Sequence, residues 1–174
     1  MAKLRKMLGS AASPGIAALM AQMETQSRET LARWSAAYAL ENLLPVYLRV
    51  HPQDSLPGRA LAQAADWAAG RCDGKAVKPL LSALRDSARQ ETGATAQAAL
   101  RAMGTAAAVM QTPTNALGMT FYAAAALAYA ALGEDASPAD YDAYAEAAFA
   151  RMLDSLRAAS VPHEAHPAHL DWHC

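Results

Sequence analysis

The chain has 174 residues, which fits one domain that is long enough to bury a sizeable core. Hydrophobic residues make up 53% of it, and much of that share is alanine, the residue that favours the α-helix most. The formal net charge of −1 disfavours a nucleic-acid-binding protein, because such proteins normally carry a basic patch or stripe.

Helix signals recur along the whole chain. Ser13-Pro14, Thr112-Pro113 and Ser137-Pro138 each combine an N-cap residue with proline at the first helical position. Apolar residues follow at helical spacing, and no segment alternates as a strand does. We therefore predict an all-α fold, a compact bundle or short array of about seven antiparallel helices. The predicted helices cover residues 14–23, 28–50, 57–69, 75–90, 95–110, 113–132 and 138–159.

Three further segments shape this prediction. Pro45 lies inside the second predicted helix and should kink or split it, because proline has no amide hydrogen to donate. Residues 116–132 form the most apolar run, which we interpret as a buried core helix and not a membrane span. We treat residues 1–174 as a single helical domain whose ends, residues 1–12 and 160–174, are irregular tails.

The ends of the chain and its cysteines bear on its location. The N-terminal stretch is interrupted by Pro14 and Gly15 and does not read as a signal peptide. Cys72 and Cys174 lie in dissimilar contexts without metal-binding or redox spacing, which is typical of a reduced protein. We expect a cytoplasmic protein.

Several residues allow both a binding and a structural interpretation. Trp34 and Trp67 could anchor a protein partner, but their spacing on apolar helix faces favours the core. The loop around Asp54 and Pro57 could recognise a partner, although Asp54 or Ser55 is expected to cap the next helix.

Two polar groups of residues lie on predicted helices. Asn115 and Gln111 could line a small polar pocket, but the position of Asn115 in the first turn of a helix favours a local structural role. Arg85, Asp86 and Arg89 form a charged cluster that we interpret as a solvated helix face, with Asp86 pairing with Arg89.

The C-terminal tail contains the one cluster of metal-ligand types that the sequence offers. It comprises His163, His166, His169, His173 and Cys174. Imidazole and thiolate groups suit zinc or another transition metal. A proline between the second and third histidines disfavours the regular helix that would align them. We therefore favour a solvated or surface-packed tail without a cofactor and keep a metal-binding protein as the alternative function.

Three blocks of sequence carry a resemblance to a known family. They are LARWSA at 31–36 with LLP at 43–45, PQDSLP at 52–57 with WAAG at 67–70, and TPTNALG at 112–118 with Tyr122. In this order they resemble the Imm-5-like family of bacterial immunity proteins. The family pattern has an arginine where this chain has Leu56, and histidines where it has Gln111 and Asn115.

The resemblance implies a non-enzymatic protein that binds and neutralises a partner toxin. It brings no catalytic residues, and Gln and Asn in place of histidine cannot shuttle protons near neutral pH. A helical scaffold that forms a homodimer is a further alternative. We expect neither a nucleic acid nor a membrane as partner. The candidate partner-binding residues are Trp34, Asp54, Pro57, Arg59, Trp67 and Asn115.

Overall fold

The chain folds into α-helices joined by short turns, and the prediction of an all-α fold is confirmed. The computed structural model describes residues 3–173, and these contain no strand. A 3₁₀ turn (Ala108–Met110) follows the sixth helix. The α-helices are α1 (Pro14–Met23), α2 (Arg28–Asn42), α3 (Leu44–Leu48), α4 (Leu56–Ala68), α5 (Lys78–Gln90), α6 (Ala94–Ala107), α7 (Asn115–Leu132) and α8 (Pro138–Ala159).

The second predicted helix is split in two, as expected from its proline. The break falls at Leu43, and Pro45 lies in the first turn of α3, where its missing amide hydrogen costs no helical bond. The fourth predicted helix begins later than expected, at Lys78. The residues before it form turns, and the Asp73 carboxylate accepts a hydrogen bond from the Lys75 backbone N–H at 2.7 Å.

α6 lies at the centre of the bundle, where it contacts α2, α3, α4, α5 and α7. Most of the buried positions of α6 and α7 are alanines, so the two helices can approach closely. At Gly118 a Cβ atom would lie only 3.4 Å from Cγ2 of Thr105 on α6. Larger side chains such as Leu100, Met103 and Phe149 fill the remaining core.

α7 is long and apolar enough to cross a membrane by length and composition, with a mean hydropathy of 1.3 over 18 residues. However, 56% of that window is buried inside the bundle, where α7 packs on α6 and α8. This burial agrees with the interpretation of residues 116–132 as a core helix.

The segment before α1 is not helical, but it packs firmly on α7. Leu8 is fully buried, and its backbone N–H donates to the Phe121 carbonyl at 3.2 Å. The Tyr129 hydroxyl donates to the Arg5 carbonyl at 2.5 Å. These two anchors lie on either side of Lys6 and fix the place of that residue on the surface.

Residues 160–173, which we call the C-terminal strap, return to the start of α2. The Glu164 carboxylate accepts hydrogen bonds from the Ser27 N–H at 2.7 Å, the Ser27 hydroxyl at 2.8 Å and the Thr30 hydroxyl at 2.6 Å. Ser27 is itself the N-cap of α2, since its hydroxyl accepts the Thr30 N–H at 3.1 Å. A carboxylate at this position also interacts favourably with the helix dipole.

We expect Glu164→Gln to lower the free energy of unfolding at pH 7 by about 1–2 kcal/mol, because an amide accepts fewer and weaker hydrogen bonds than a carboxylate. Burial raises the pKa of Glu164, but the hydrogen bonds from Thr30 and Ser27, with Arg33 nearby, outweigh it and hold the pKa below its ordinary value. The stabilisation is therefore complete above the pKa of an unfolded glutamate, about 4.3, and is lost as the pH falls through the lower folded value.

Urea unfolding of wild type and Glu164→Gln at pH 7 and pH 3 measures this effect. The difference between the two proteins should shrink at pH 3. A difference of the same size at both pH values would contradict the role of the ionised carboxylate. Exposed Glu146 on α8 provides the control, since Glu146→Gln should leave the free energy of unfolding nearly unchanged at pH 7.

Candidate functional site

A cavity of about 460 Å³ lies between α5 and α6. Its apolar floor comes from Leu81, Leu84 and Leu100, which are all buried in the core. Asn115 and Tyr122 from α7 lie along one side, together with Lys6 from the N-terminal segment. The residues of three helices and of a segment distant in sequence therefore converge on one concave surface.

Four cations line this cavity: Lys6, Arg85, Arg89 and Arg101. Within residues 3–173, no aspartate or glutamate lines it. Arg89 pairs with Asp86 at 3.1 Å on the outer side of α5, whereas Lys6, Arg85 and Arg101 have no ion pair in the described part of the chain. The cavity is thus strongly cationic in a chain whose net charge is −1.

The spacing of the cations on α5 works against the stability of the helix. Arg85 and Arg89 are four residues apart, so they lie on the same helix face as like charges. Such a pair destabilises a helix by a few tenths of a kcal/mol. Arg101 on α6 and Lys6 add two more positive charges to the same cavity. Arg89 is compensated by Asp86, whereas the charges of Lys6, Arg85 and Arg101 have no ion-pair partner within residues 3–173. Such uncompensated charges in one cavity are typical of a binding surface.

Asn115 lies in the lining of this cavity, as the interpretation of a polar pocket predicted. Its side-chain amide donates to the Ala108 carbonyl at 3.2 Å, so it also holds the 3₁₀ turn against the start of α7. Gln111 is exposed and is not part of the lining. The two residues therefore do not line this cavity together.

The loop before α4 has a structural role. The Asp54 carboxylate accepts the Tyr47 hydroxyl at 2.7 Å and the Leu56 backbone N–H at 2.9 Å. Of the two capping candidates, Asp54 thus bonds the first amide of α4 from the position before the N-cap, whereas the side chain of Ser55, the N-cap residue, forms no capping hydrogen bond. Burial, and then the hydrogen bond to Asp54, raises the pKa of Tyr47. Pro57 is buried and cannot reach a partner, whereas Arg59 is exposed.

A second polar cluster joins the end of α3 to the loop between α5 and α6. Nε2 of His51 lies 2.6 Å from one Glu91 oxygen, and the Gly93 N–H donates to the other at 2.8 Å. Burial raises the pKa of Glu91, but the hydrogen bonds from Gly93 and His51 outweigh it and lower that pKa. Since both carboxylate oxygens are occupied within the chain, the cluster holds the loop in place and offers no open site.

The two tryptophans differ in their surroundings. Trp34 is 2% exposed, and its indole N–H donates to the Ser155 hydroxyl at 3.0 Å. It belongs to the core, so Trp34 is not an anchor for a partner. Trp67 is half-buried, and the Arg28 guanidinium lies 5.1 Å from the centre of its ring. One face of Trp67 is therefore already covered by a cation from α2.

The tail histidines do not assemble a metal site in the described part of the chain. No group of three or more His, Cys, Asp or Glu side chains there could hold a metal ion. His163 and His166 adopt positive φ angles of 50° and 58°, so the strap turns sharply where a helix would have aligned them. His169 is exposed, and His173 lies 3.4 Å from Asp171. Cys174 lies outside the described residues.

The cationic cavity is the feature that sequence reasoning missed. The predicted solvated face and the predicted pairing of Asp86 with Arg89 are both confirmed, since Arg85 and Arg89 are exposed and Arg89 lies 3.1 Å from Asp86. The same two arginines also border the concave surface, which the prediction did not include. Their spacing of four residues was the available signal, together with the apolar stripe beside them. No sequence pattern indicated Lys6 or Arg101, because the fold alone brings these residues to α5.

Comparison with known proteins agrees with the resemblance found in the sequence. The model of the family described as "Imm-5 like putative immunity protein" matches residues 21–155. No curated protein and no solved structure matches the chain. The matched range includes α2 to α7, most of α8, and every cavity residue except Lys6. Because the match covers well over half of the chain, the protein belongs to the Imm-5-like putative immunity protein family.

Proposed function

We propose that this protein binds a partner toxin and neutralises it without catalysis. The observation that carries the proposal is membership of the immunity family, whose model covers residues 21–155. The chemistry of the cavity supports it, because arginine and lysine side chains stay charged near neutral pH and serve as recognition groups more readily than as acid–base groups. We further propose that the encounter takes place in the cytoplasm, as the two dissimilar cysteines favour.

The scaffold suits inhibition by coverage of the toxin surface. Its core is closely packed, and its N-terminal segment and C-terminal strap are both hydrogen-bonded to helices. A surface that is already ordered loses little conformational entropy on binding, which favours affinity. Neutralisation would then require one immunity molecule for each toxin molecule.

Stoichiometry provides the test of this proposal. A toxin encoded beside the gene of this chain is purified and its activity is titrated with the protein. We expect inhibition to rise linearly and to end at an equimolar ratio, with a 1:1 complex in light scattering. Co-expression of the chain should also protect cells from the same toxin.

Two results would contradict the proposal. Complete inactivation of the toxin by a small substoichiometric amount of the chain would indicate an enzyme that modifies the toxin. A stable homodimer that neither binds nor inhibits the toxin would favour the dimerising scaffold. Addition of EDTA should change neither the equimolar endpoint of the titration nor the affinity for the toxin. A loss of inhibition in EDTA would favour the alternative function, metal binding by the histidine-rich tail.

A further inference from the structure

We infer that the cavity between α5 and α6 receives an acidic segment of the partner protein, with at least two carboxylates at its rim and an apolar side chain on its floor. The inference rests on the proposed function. It specifies which surface binds the toxin and which types of residue the bound toxin segment carries. Charge complementarity, the apolar floor and the fixed position of Lys6 support it in turn.

The cavity is complementary in charge to an acidic segment. Arg85, Arg101 and Lys6 meet in one cavity without an acidic partner from residues 3–173. Their mutual repulsion destabilises the free protein and is relieved when carboxylates enter the cavity. The relief of this repulsion adds to the free energy of binding. Guanidinium groups match carboxylates especially well, because their planar N–H groups can form two parallel hydrogen bonds.

Charged and apolar residues lie at different depths of the cavity. The cations Arg85, Arg89 and Lys6 are exposed, and Arg101 is half-buried, whereas Leu81, Leu84 and Leu100 form the floor. An apolar side chain of the partner that fills the floor would exclude water from the ion pairs at the rim. Interfaces with a buried apolar anchor and a polar rim are the ones that bind specifically.

The backbone on both sides of Lys6 is held against α7. Its neighbours Arg5 and Leu8 are hydrogen-bonded to Tyr129 and Phe121 on α7. Lys6 and Arg101 also line a small adjoining cavity of about 30 Å³. Binding to a cation on an anchored segment costs less conformational entropy than binding to a cation on a free tail.

An acidic protein segment fits these features better than a nucleic acid does. Nucleic-acid binders track the phosphate backbone with a stripe of cations, whereas here the cations converge on one cavity. The net charge of −1 means that the surface outside the cavity is more acidic than basic, which would repel a long polyanion.

Charge reversal tests the inference. The double variant Arg85→Glu/Arg101→Glu should lower toxin affinity by about 100-fold or more, because attraction is replaced by repulsion. The control, Lys75→Glu/Arg157→Glu, makes the same change in net charge at exposed residues outside the cavity and should alter affinity by less than about threefold. Affinities come from calorimetry, and thermal unfolding confirms that each variant is folded. If the reversal does not fold, Arg85→Gln/Arg101→Gln replaces it.

Charge swapping identifies the partner residues. Aspartates and glutamates on the toxin surface are changed to lysine one at a time. We expect at least one such toxin variant to regain affinity for Arg85→Glu/Arg101→Glu while losing affinity for the wild-type chain. Equal toxin binding by the reversal variant and the wild type would overturn the inference while leaving the proposed function intact.

A probe that needs no toxin separates the inference from the proposed function. A synthetic peptide with alternating glutamate and leucine should bind the wild type and the control variant, and should not bind the reversal variant. Inorganic phosphate or a single-stranded oligonucleotide at equal charge should compete poorly. If phosphate or the oligonucleotide binds more tightly than the peptide, the cavity binds phosphate groups and the inference is overturned. A wild type that binds the peptide but does not inhibit the toxin would contradict only the proposed function.

Discussion

Replacing Trp34 with alanine is expected to lower the free energy of unfolding by about 3–5 kcal/mol. Trp34 is 2% exposed and packs on Tyr38, with the two ring centres 5.9 Å apart. Truncation removes the largest fully buried side chain of α2 and breaks the hydrogen bond from its indole to Ser155 on α8. The alanine-rich helices around it have few long side chains that could move into the space.

Trp67 provides the matched control for Trp34. It is half-buried on α4 and contacts the Arg28 guanidinium, so Trp67→Ala should cost only about 1–2 kcal/mol. Chemical unfolding followed by far-UV circular dichroism measures both variants. If Trp34→Ala does not fold, Trp34→Phe should fold with reduced stability. Equal losses at the two positions would contradict the assignment of Trp34 to the core.

Replacing Gly9 with alanine is expected to cost about 2–4 kcal/mol. Gly9 has a φ of +84°, where an L side chain costs about 1–2 kcal/mol. A Cβ atom there would also lie 2.5 Å from Cζ of Phe149, whose ring is fully buried and packs edge-on against Phe121. The ring or the N-terminal segment must therefore move, which adds the cost of overpacking.

Gly70 separates these two costs. Its φ of +73° is similar to that of Gly9, but no atom lies within 4 Å of the Cβ that an alanine would add. Gly70→Ala should therefore show the backbone strain alone, about 1–2 kcal/mol. The difference between the two variants in thermal or urea unfolding reports the contact with Phe149. No difference would mean that the N-terminal segment adapts to the added methyl group without loss.

Most of the helices could be predicted from local signals. Proline after serine or threonine, glycine between helices and apolar residues at helical spacing act within a few residues, so the sequence displays them directly. The start of α5 differs from the prediction because residues 74–77 form turns, closed by the Lys75 N–H on the Asp73 carboxylate and by the Val77 N–H on the Gly74 carbonyl. Asp54 bonds the Leu56 N–H at the start of α4 in the same way as Asp73 bonds Lys75. No local pattern indicates the hydrogen bond between Asp54 and Tyr47.

The cavity could not be predicted, because its residues meet only after the helices have packed. Arg85 and Arg101 lie on consecutive helices, but Lys6 is distant from both in the sequence, so their convergence is a property of the tertiary structure. Asn115, whose polarity is unusual on an apolar helix, does line the cavity. Tryptophan indicates a binding surface less well, because it is common both in interfaces and in the core.

The contact between the C-terminal strap and α2 has a consequence for biosynthesis. Glu164 and Ser27 are separated by 137 positions, so the start of α2 obtains its carboxylate only after residue 164 has left the ribosome. Contacts between such distant residues form late, because a long loop must close first. We therefore expect α2 to gain its full stability later during synthesis than helices whose contacts lie close in the sequence.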